Sequence, residues 1–161
     1  MIESEGIELR RAQHDDADLI RRIVCLAATW RDAVAPFQPP SGLDAYHEEW
    51  MRVDDVGVVL FTGIEFVGGA YARRVGPADG TYGYVSSELW ELTIGIEHSR
   101  RRQGIGRLAL ESLKATTLQR GIEGLSLSVE RDNPARTLYT ASGFRVVEER
   151  ESNVLMSWTL R

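Results

Sequence analysis

Cysteine is almost missing from this chain, with Cys25 the single one. No internal disulfide can form, which excludes disulfide-built scaffolds and suits a reducing compartment. Cys25 sits among Ile23, Val24 and Leu26 and is expected to be a buried thiol. Long apolar runs are missing too. No stretch approaches the roughly 18 apolar residues of a spanning helix. The opening residues carry Glu3, Glu5 and Glu8 where a secretory signal would be apolar. A cytoplasmic protein with no membrane partner is therefore expected. Positive charge is in deficit, because 19 Lys and Arg against 24 Asp and Glu leave a net charge of −5. That argues against nucleic acid as a partner, since phosphate binding needs a basic face. It suits a cationic substrate better. The histidines His14, His47 and His98 are scattered, and His47-Glu48-Glu49 lacks the second histidine of a zinc-protease motif, so no metal is expected.

What is present is the composition of an ordinary globular protein, 43% hydrophobic and 27% charged over 161 residues. That length predicts a single domain over 1–161. Gly6 to Arg11 reads as a short strand, and Leu19 to Ala28 as a helix behind the acidic residues Asp15, Asp16 and Asp18. After the breaker Pro36-Phe37-Gln38-Pro39-Pro40, Ser41 to Met51 reads as a second helix with Leu43, Tyr46 and Trp50 at helical spacing. Val56 to Phe61 and Glu65 to Arg73 read as strands. Tyr82 to Ile96 is a longer extended stretch with a break near Ser86-Ser87. In it Trp90, Leu92, Ile94 and Ile96 share one face, and Glu91, Thr93 and Gly95 the other. Gly104 to Arg120 reads as a helix. Leu125, Leu127 and Val129 alternate with polar residues as in a strand. Asn133 and Pro134 start a short helix to Ser142. Phe144 to Glu149 and Val154 to Leu160 are the last strands. The whole is an α/β or α+β sheet with inserted helices.

The most informative segment is Arg100-Arg101-Arg102-Gln103-Gly104-Ile105-Gly106-Arg107, set between a strand and a helix. A helix start offers unpaired N–H groups and the positive end of a dipole. Glycines let a ligand approach the backbone, and the arginines add charge-assisted donors. Together they make a pyrophosphate cradle. A P-loop is excluded, because Arg107-Leu108 stands where Lys and Ser or Thr would be needed. Gly104, Gly106 and Ala109 fit the dinucleotide fingerprint G-x-G-x-x-A. However, a basic stretch separates them from the strand, and too little chain follows for a doubly wound sheet.

With these residues the sequence resembles the GNAT N-acetyltransferase superfamily, specifically from Tyr82 to Val147. The family's Gln/Arg-x-x-Gly-x-Gly/Ala motif is matched by Arg101, Gly104 and Gly106. Its second signature, an asparagine followed by Leu-Tyr-x-x-x-Gly-Phe, is matched by Asn133, Leu138, Tyr139, Gly143 and Phe144. His98 stands where a proline is usual, a departure confined to a turn. The resemblance implies a mixed sheet of six to seven strands flanked by about four helices, with two splayed parallel strands binding CoA. It implies acetyl-CoA as cosubstrate, held by Ile94, Gly95 and Ile96 on the strand, by Arg101, Arg102, Gln103, Gly104, Ile105, Gly106 and Arg107 in the cradle, and by Asn133. A small-molecule or peptide amine is the implied acceptor, and homodimers are common among such proteins.

Amine attack on a thioester needs the free base, and the departing thiolate needs a proton. Tyr139 matches the family's proton donor. The strand position that carries a glutamate in many relatives is Ser128 here, so Glu91 is the expected base, with an ordinary surface or ion-paired carboxylate as the alternative. Trp30, Phe37 and Tyr84 are the expected acceptor contacts, whereas Tyr46 and Trp50 are expected to anchor their helix to the sheet. A non-catalytic acyl-CoA-binding module on the same fold, and transfer of a longer acyl group, are the alternative functions.

Overall fold

The computed structural model describes residues 6–160. The acidic opening with Glu3 and Glu5 lies outside them. The elements are β1 (Ile7–Arg11), α1 (Ala17–Ala28), α2 (Asp44–His47), β2 (Val56–Thr62), β3 (Glu65–Arg73), β4 (Leu89–Ile96), α3 (Ile105–Gln119), β5 (Gly124–Glu130), α4 (Ala135–Ala141), β6 (Arg145–Glu149) and β7 (Asn153–Thr159). The seven strands form one sheet in the order β1-β2-β3-β4-β5-β7-β6. Every neighbouring pair is antiparallel except β4 and β5. Those two run parallel because α3 carries the chain back between them, as a parallel connection requires. The expected mixed sheet with four helices is what is observed.

Strand alternation sends side chains to two different cores. Leu92 of β4 and Leu125, Leu127 and Val129 of β5 lie under α3 and α4, with Ile105, Ala109, Leu110, Leu113, Tyr139 and Phe144. Burying each such large apolar side chain contributes about 1.5–3 kcal/mol. On the opposite face Ile20, Ile23 and Val24 of α1 pack with Val59, Tyr71 and Trp50. Cys25 is fully buried there, and desolvation pushes its thiol's ionisation up, so it is a packing residue and no nucleophile.

Two elements are shorter than their sequence patterns predict. The helix expected over Ser41 to Met51 is reduced to Asp44–His47. The Arg73 guanidinium, itself buried, takes the Ala45 and Glu48 carbonyls at 3.1 and 2.8 Å. It also holds the buried Asp55 carboxylate at 2.9 and 2.8 Å. The carbonyls that would continue the helix are thereby occupied, and Glu49 turns into the left-handed region. The extended stretch expected from Tyr82 forms a strand only from Leu89. Residues 82–88 instead cross the face of the sheet, where the Ser126 hydroxyl donates to the Gly83 carbonyl at 2.6 Å.

Candidate active site

The chemistry-bearing residues gather where β4 and β5 part. The two strands pair only at Leu89, Trp90 and Glu91 with Gly124, Leu125 and Ser126. Beyond that level β4 stays paired to β3 as far as Ile96, and β5 to β7 as far as Glu130. Their inner edges diverge into a wedge whose backbone groups have no strand partner. Ile94 and Ile96 face the α3 side. Gly95 lies against α1, where a Cβ would come within 2.6 Å of the Ile23 carbonyl oxygen and 2.9 Å of Leu26 Cβ.

The wedge opens onto the basic turn. Gly104 precedes α3 with φ 79°, a left-handed conformation that costs other residues strain. Arg102 also has positive φ, 62°. Arg102, Gln103 and Arg107 are exposed, and neither Arg102 nor Arg107 has a charged partner among the described residues. With the N–H groups of the first turn of α3, they suit an anionic diphosphate. Arg101 is used differently. Its guanidinium donates to the carbonyls of Ile96, Leu26 and Trp30 at 3.3, 3.4 and 2.9 Å. It therefore fastens the end of α1 to the cradle, beside the Arg22–Glu97 pair at 2.7 and 2.6 Å.

The second motif folds onto the first. A Cβ at Gly106 would touch Leu138 Cδ2 at 3.5 Å and Ile96 Cγ1 at 3.7 Å, so α4 lies across the start of α3. Ile105 is buried in the same core. Tyr139 is 7% exposed, and its ring lies 5.8 Å from that of Phe144. Its hydroxyl makes no hydrogen bond within the described residues. Burial pushes its ionisation well above the usual phenol range, so it stays protonated. Asn133 Oδ1 accepts from the Ala135 N–H at 2.9 Å, the capping role read from the sequence. Asn133→Ala is expected to cost about 1 kcal/mol, read as a lowered denaturation midpoint. An unchanged midpoint would remove the capping account.

Glu91 stands in the last paired register before the wedge, on the α1 face, and is 3% exposed. Desolvation raises its pKa, against the opposing pull of Thr81, Tyr46 and the Gly83 N–H. The Gly83 N–H reaches Oε2 at 3.2 Å. A side chain at Gly83 would put Cβ 2.8 Å from the carboxyl, so only glycine lets the loop close here. Oε1 has no hydrogen-bond partner. Glu91 is thus neither a surface carboxylate nor an ion-paired one. Ser128 of β5 accepts from Asn153 Nδ2 at 2.7 Å.

The sequence profile of the Acetyltransferase (GNAT) family matches residues 24–144. The chain belongs to that family. It is accordingly an acetyltransferase by family. Among solved structures, the GNAT domain of S. lividans PAT superposes with TM-score 0.72 at 18% identity, over 96% of this chain and 90% of that one. The PaiA N-acetyltransferase of Thermoplasma acidophilum, in complex with coenzyme A, gives 0.67 at 16%, over 95% and 98%. YncA of Salmonella typhimurium, a putative acetyltransferase with its cofactor acetyl-CoA, gives 0.69 at 18%, over 97% and 95%. These likenesses establish the GNAT fold. No curated protein matches.

Within this GNAT fold the expected acceptor contacts fall on different structures. Trp30 Nε1 donates to Glu130 at 3.1 Å, and Arg31 stacks over its ring while bonding Glu130 and Asp132. This clasp joins the end of α1 to the end of β5, across the mouth of the wedge. Phe37 is 98% exposed on the loop after α1. Tyr84 is half-buried in the 82–88 segment. Trp50 is the expected anchor, edge-on to Tyr71 at 5.7 Å with its N–H on the Gln13 carbonyl. Tyr46 does more than anchor, because its hydroxyl accepts from the Tyr82 N–H at 2.9 Å. Only its contacts separate it from Trp50, since both occupy one helical stripe in the sequence. Among the described residues no cluster of His, Cys, Asp or Glu could hold a metal, and no helix is long and apolar enough to cross a membrane.

Proposed function

We propose that this chain transfers acetyl from acetyl-CoA to a primary amine. The observation that carries the reading is the wedge between β4 and β5 opening onto the exposed arginines and left-handed glycine that start α3. The residues fit the cosubstrate's parts. Unpaired edges from Ile94 to Ile96 suit an amide-bearing arm that adds like a strand. Arg102, Gln103, Gly104, Ile105, Gly106 and Arg107 suit the diphosphate. Asn133 lines a shallow groove of about 610 Å³ with Arg131, Arg136 and Thr137. Acetyl-CoA supplies an activated acyl group. Glu91 takes the proton from the amine, and Tyr139 gives one to the departing sulfur.

Release of free thiol from acetyl-CoA with a panel of amines tests the transfer. A thiol signal that no amine increases would reject it. A non-catalytic acyl-CoA-binding module draws support from Ser128, which offers no base, and from the sealed position of Glu91. Binding without release would favour it. Gly106→Val tests the cradle separately, because the position is helical and its first added carbon meets only ordinary contacts. Its two further methyls add bulk at the first turn of α3, between Leu138 and Ile96. Calorimetry is expected to show CoA affinity reduced by at least about tenfold, roughly 1.4 kcal/mol. A folded variant with parental affinity would rule the cradle out.

A further inference from the structure

The Glu91 carboxyl is covered by a segment that little else holds in place. Residues 82–88 form no helix or strand. Among the described residues, one backbone-to-backbone hydrogen bond reaches them, and it is local, from the Leu89 N–H to the Ser86 carbonyl at 3.3 Å. The bonds that fix the segment to the rest of the molecule fall on two consecutive residues. Tyr82 donates its N–H to the Tyr46 hydroxyl of α2 at 2.9 Å. Its carbonyl accepts from the Arg150 guanidinium, in the turn between β6 and β7, at 2.8 Å. Gly83 donates its N–H to Glu91 Oε2 at 3.2 Å, and its carbonyl accepts from the Ser126 hydroxyl of β5 at 2.6 Å. All four partners are side chains, and no strand ladder takes part. The outer side is in solvent, with Tyr82 56% exposed and Ser87 and Glu88 in an exposed turn.

The fit at Gly83 is one of space alone. Its φ is not among the positive ones, yet a Cβ there would stand 2.8 Å from Glu91 Cδ and 2.9 Å from the Ser128 backbone nitrogen. The closed arrangement also carries a cost. Glu91 Oε1 and Thr81 Oγ1 are both buried with no hydrogen-bond partner, a penalty that water relieves when it reaches them. Both ends of the segment can turn. Gly80 has φ 70°, with nothing within 4 Å of where its Cβ would be, and Ser87-Glu88 is the exposed turn before β4. We infer that residues 82–88 are a lid over Glu91, latched at Tyr82 and Gly83 and hinged at Gly80 and at Ser87-Glu88. Opening uncovers the carboxyl while the sheet beneath stays paired. The purpose of that opening rests on the reading of Glu91 as proton acceptor. The opening itself does not.

Hydrogen exchange and carboxyl labelling read the lid without cosubstrate or amine acceptor. In the parent, the Tyr82 and Gly83 amides should exchange faster than the slowest amides of the β3–β4 ladder. After treatment with a water-soluble carbodiimide and an amine nucleophile, peptide mapping should find Glu91 labelled far more slowly than the exposed Glu88, the internal reference. Gly83→Ala adds the carbon for which the closed position has no room. Ser126→Ala removes the hydroxyl that serves the Gly83 carbonyl when the lid is shut. Each should raise Glu91 labelling relative to Glu88 by about fivefold or more, with exchange faster over residues 82–88 alone. A folded variant of either kind with the parental labelling ratio would overturn the lid. Parental Tyr82 and Gly83 amides as protected as the β3–β4 ladder would overturn it too, and that measurement decides even where a variant fails to fold. Exchange that quickens equally through β4 and β5 would mean that the sheet opens instead of the lid, and would reject it as well. The acetylation assay stands apart from these outcomes. A parent that acetylates no amine loses the transfer reading and keeps its lid, and a parent without a lid can still acetylate.

Discussion

Glu91→Gln is expected to lower kcat/KM most just above the carboxyl's own ionisation. Glutamine keeps the shape and can still accept from the Gly83 N–H, but it takes no proton. The parent then has a base across the interval between Glu91's ionisation and the amine's. The variant depends on the fraction of free amine, which rises about tenfold per pH unit until the amine's own pKa. The ratio of parent to variant should therefore be about 10²–10⁴ at its largest and shrink steadily as pH rises. Superimposable profiles in height and shape would reject Glu91 as base and leave a solvent relay as the simpler account. Stability should move the other way. The folded state holds Glu91 protonated at pH values where the unfolded chain has released that proton, because desolvation raises the folded pKa. Folded protein thus binds more protons, and stability falls as pH climbs from the ordinary carboxylate range through the raised value. Glu91→Gln removes that contribution. Its melting temperature should exceed the parent's at the upper end of a pH series and approach it at the lower end.

The second large effect is expected of Tyr139→Phe. A thiolate leaving without a proton is a poor product, and a positioned acid contributes about 10²–10⁴-fold. Tyr139 is suited to donate, since burial holds its phenol protonated at any working pH. Its hydroxyl has no partner within the described residues, so the substitution strands no buried group. The ring's packing on Phe144 is also preserved. The variant should melt at or near the parental temperature and bind acetyl-CoA as tightly, while kcat falls about a hundredfold or more. A kcat within about threefold of the parent's would end the assignment.

Much of this was readable without coordinates, for a physical reason. Leu125, Leu127 and Val129 alternate, Ile105 to Leu113 repeat at helical spacing, and Gly104 and Gly106 punctuate a strand-to-helix turn. Each pattern is local, set by neighbours a few residues apart and by the backbone's own preferences. The cradle and the Leu-Tyr-x-x-x-Gly-Phe stretch are likewise contiguous, so their residues could be named in advance. The face of Glu91 also followed from alternation alone.

What only the tertiary structure decided are relations between residues far apart in the chain. Arg101 belongs to the cradle motif, yet its guanidinium is spent on the carbonyls of Leu26 in α1 and of Trp30 just beyond it, 75 and 71 positions away. Arg73 stops α2 by taking its carbonyls from 25 and 28 positions away. Gly83 seals Glu91 because a loop crosses the sheet to Ser126, 43 positions on. Trp30, expected from the sequence as an acceptor contact, and its neighbour Arg31 clasp Glu130 and Asp132, 100 and 101 positions on. Periodicity reports which way a side chain points, and so it placed Glu91 on its face. Only packing against distant segments sets its solvation, its partners and the route by which a proton can reach it.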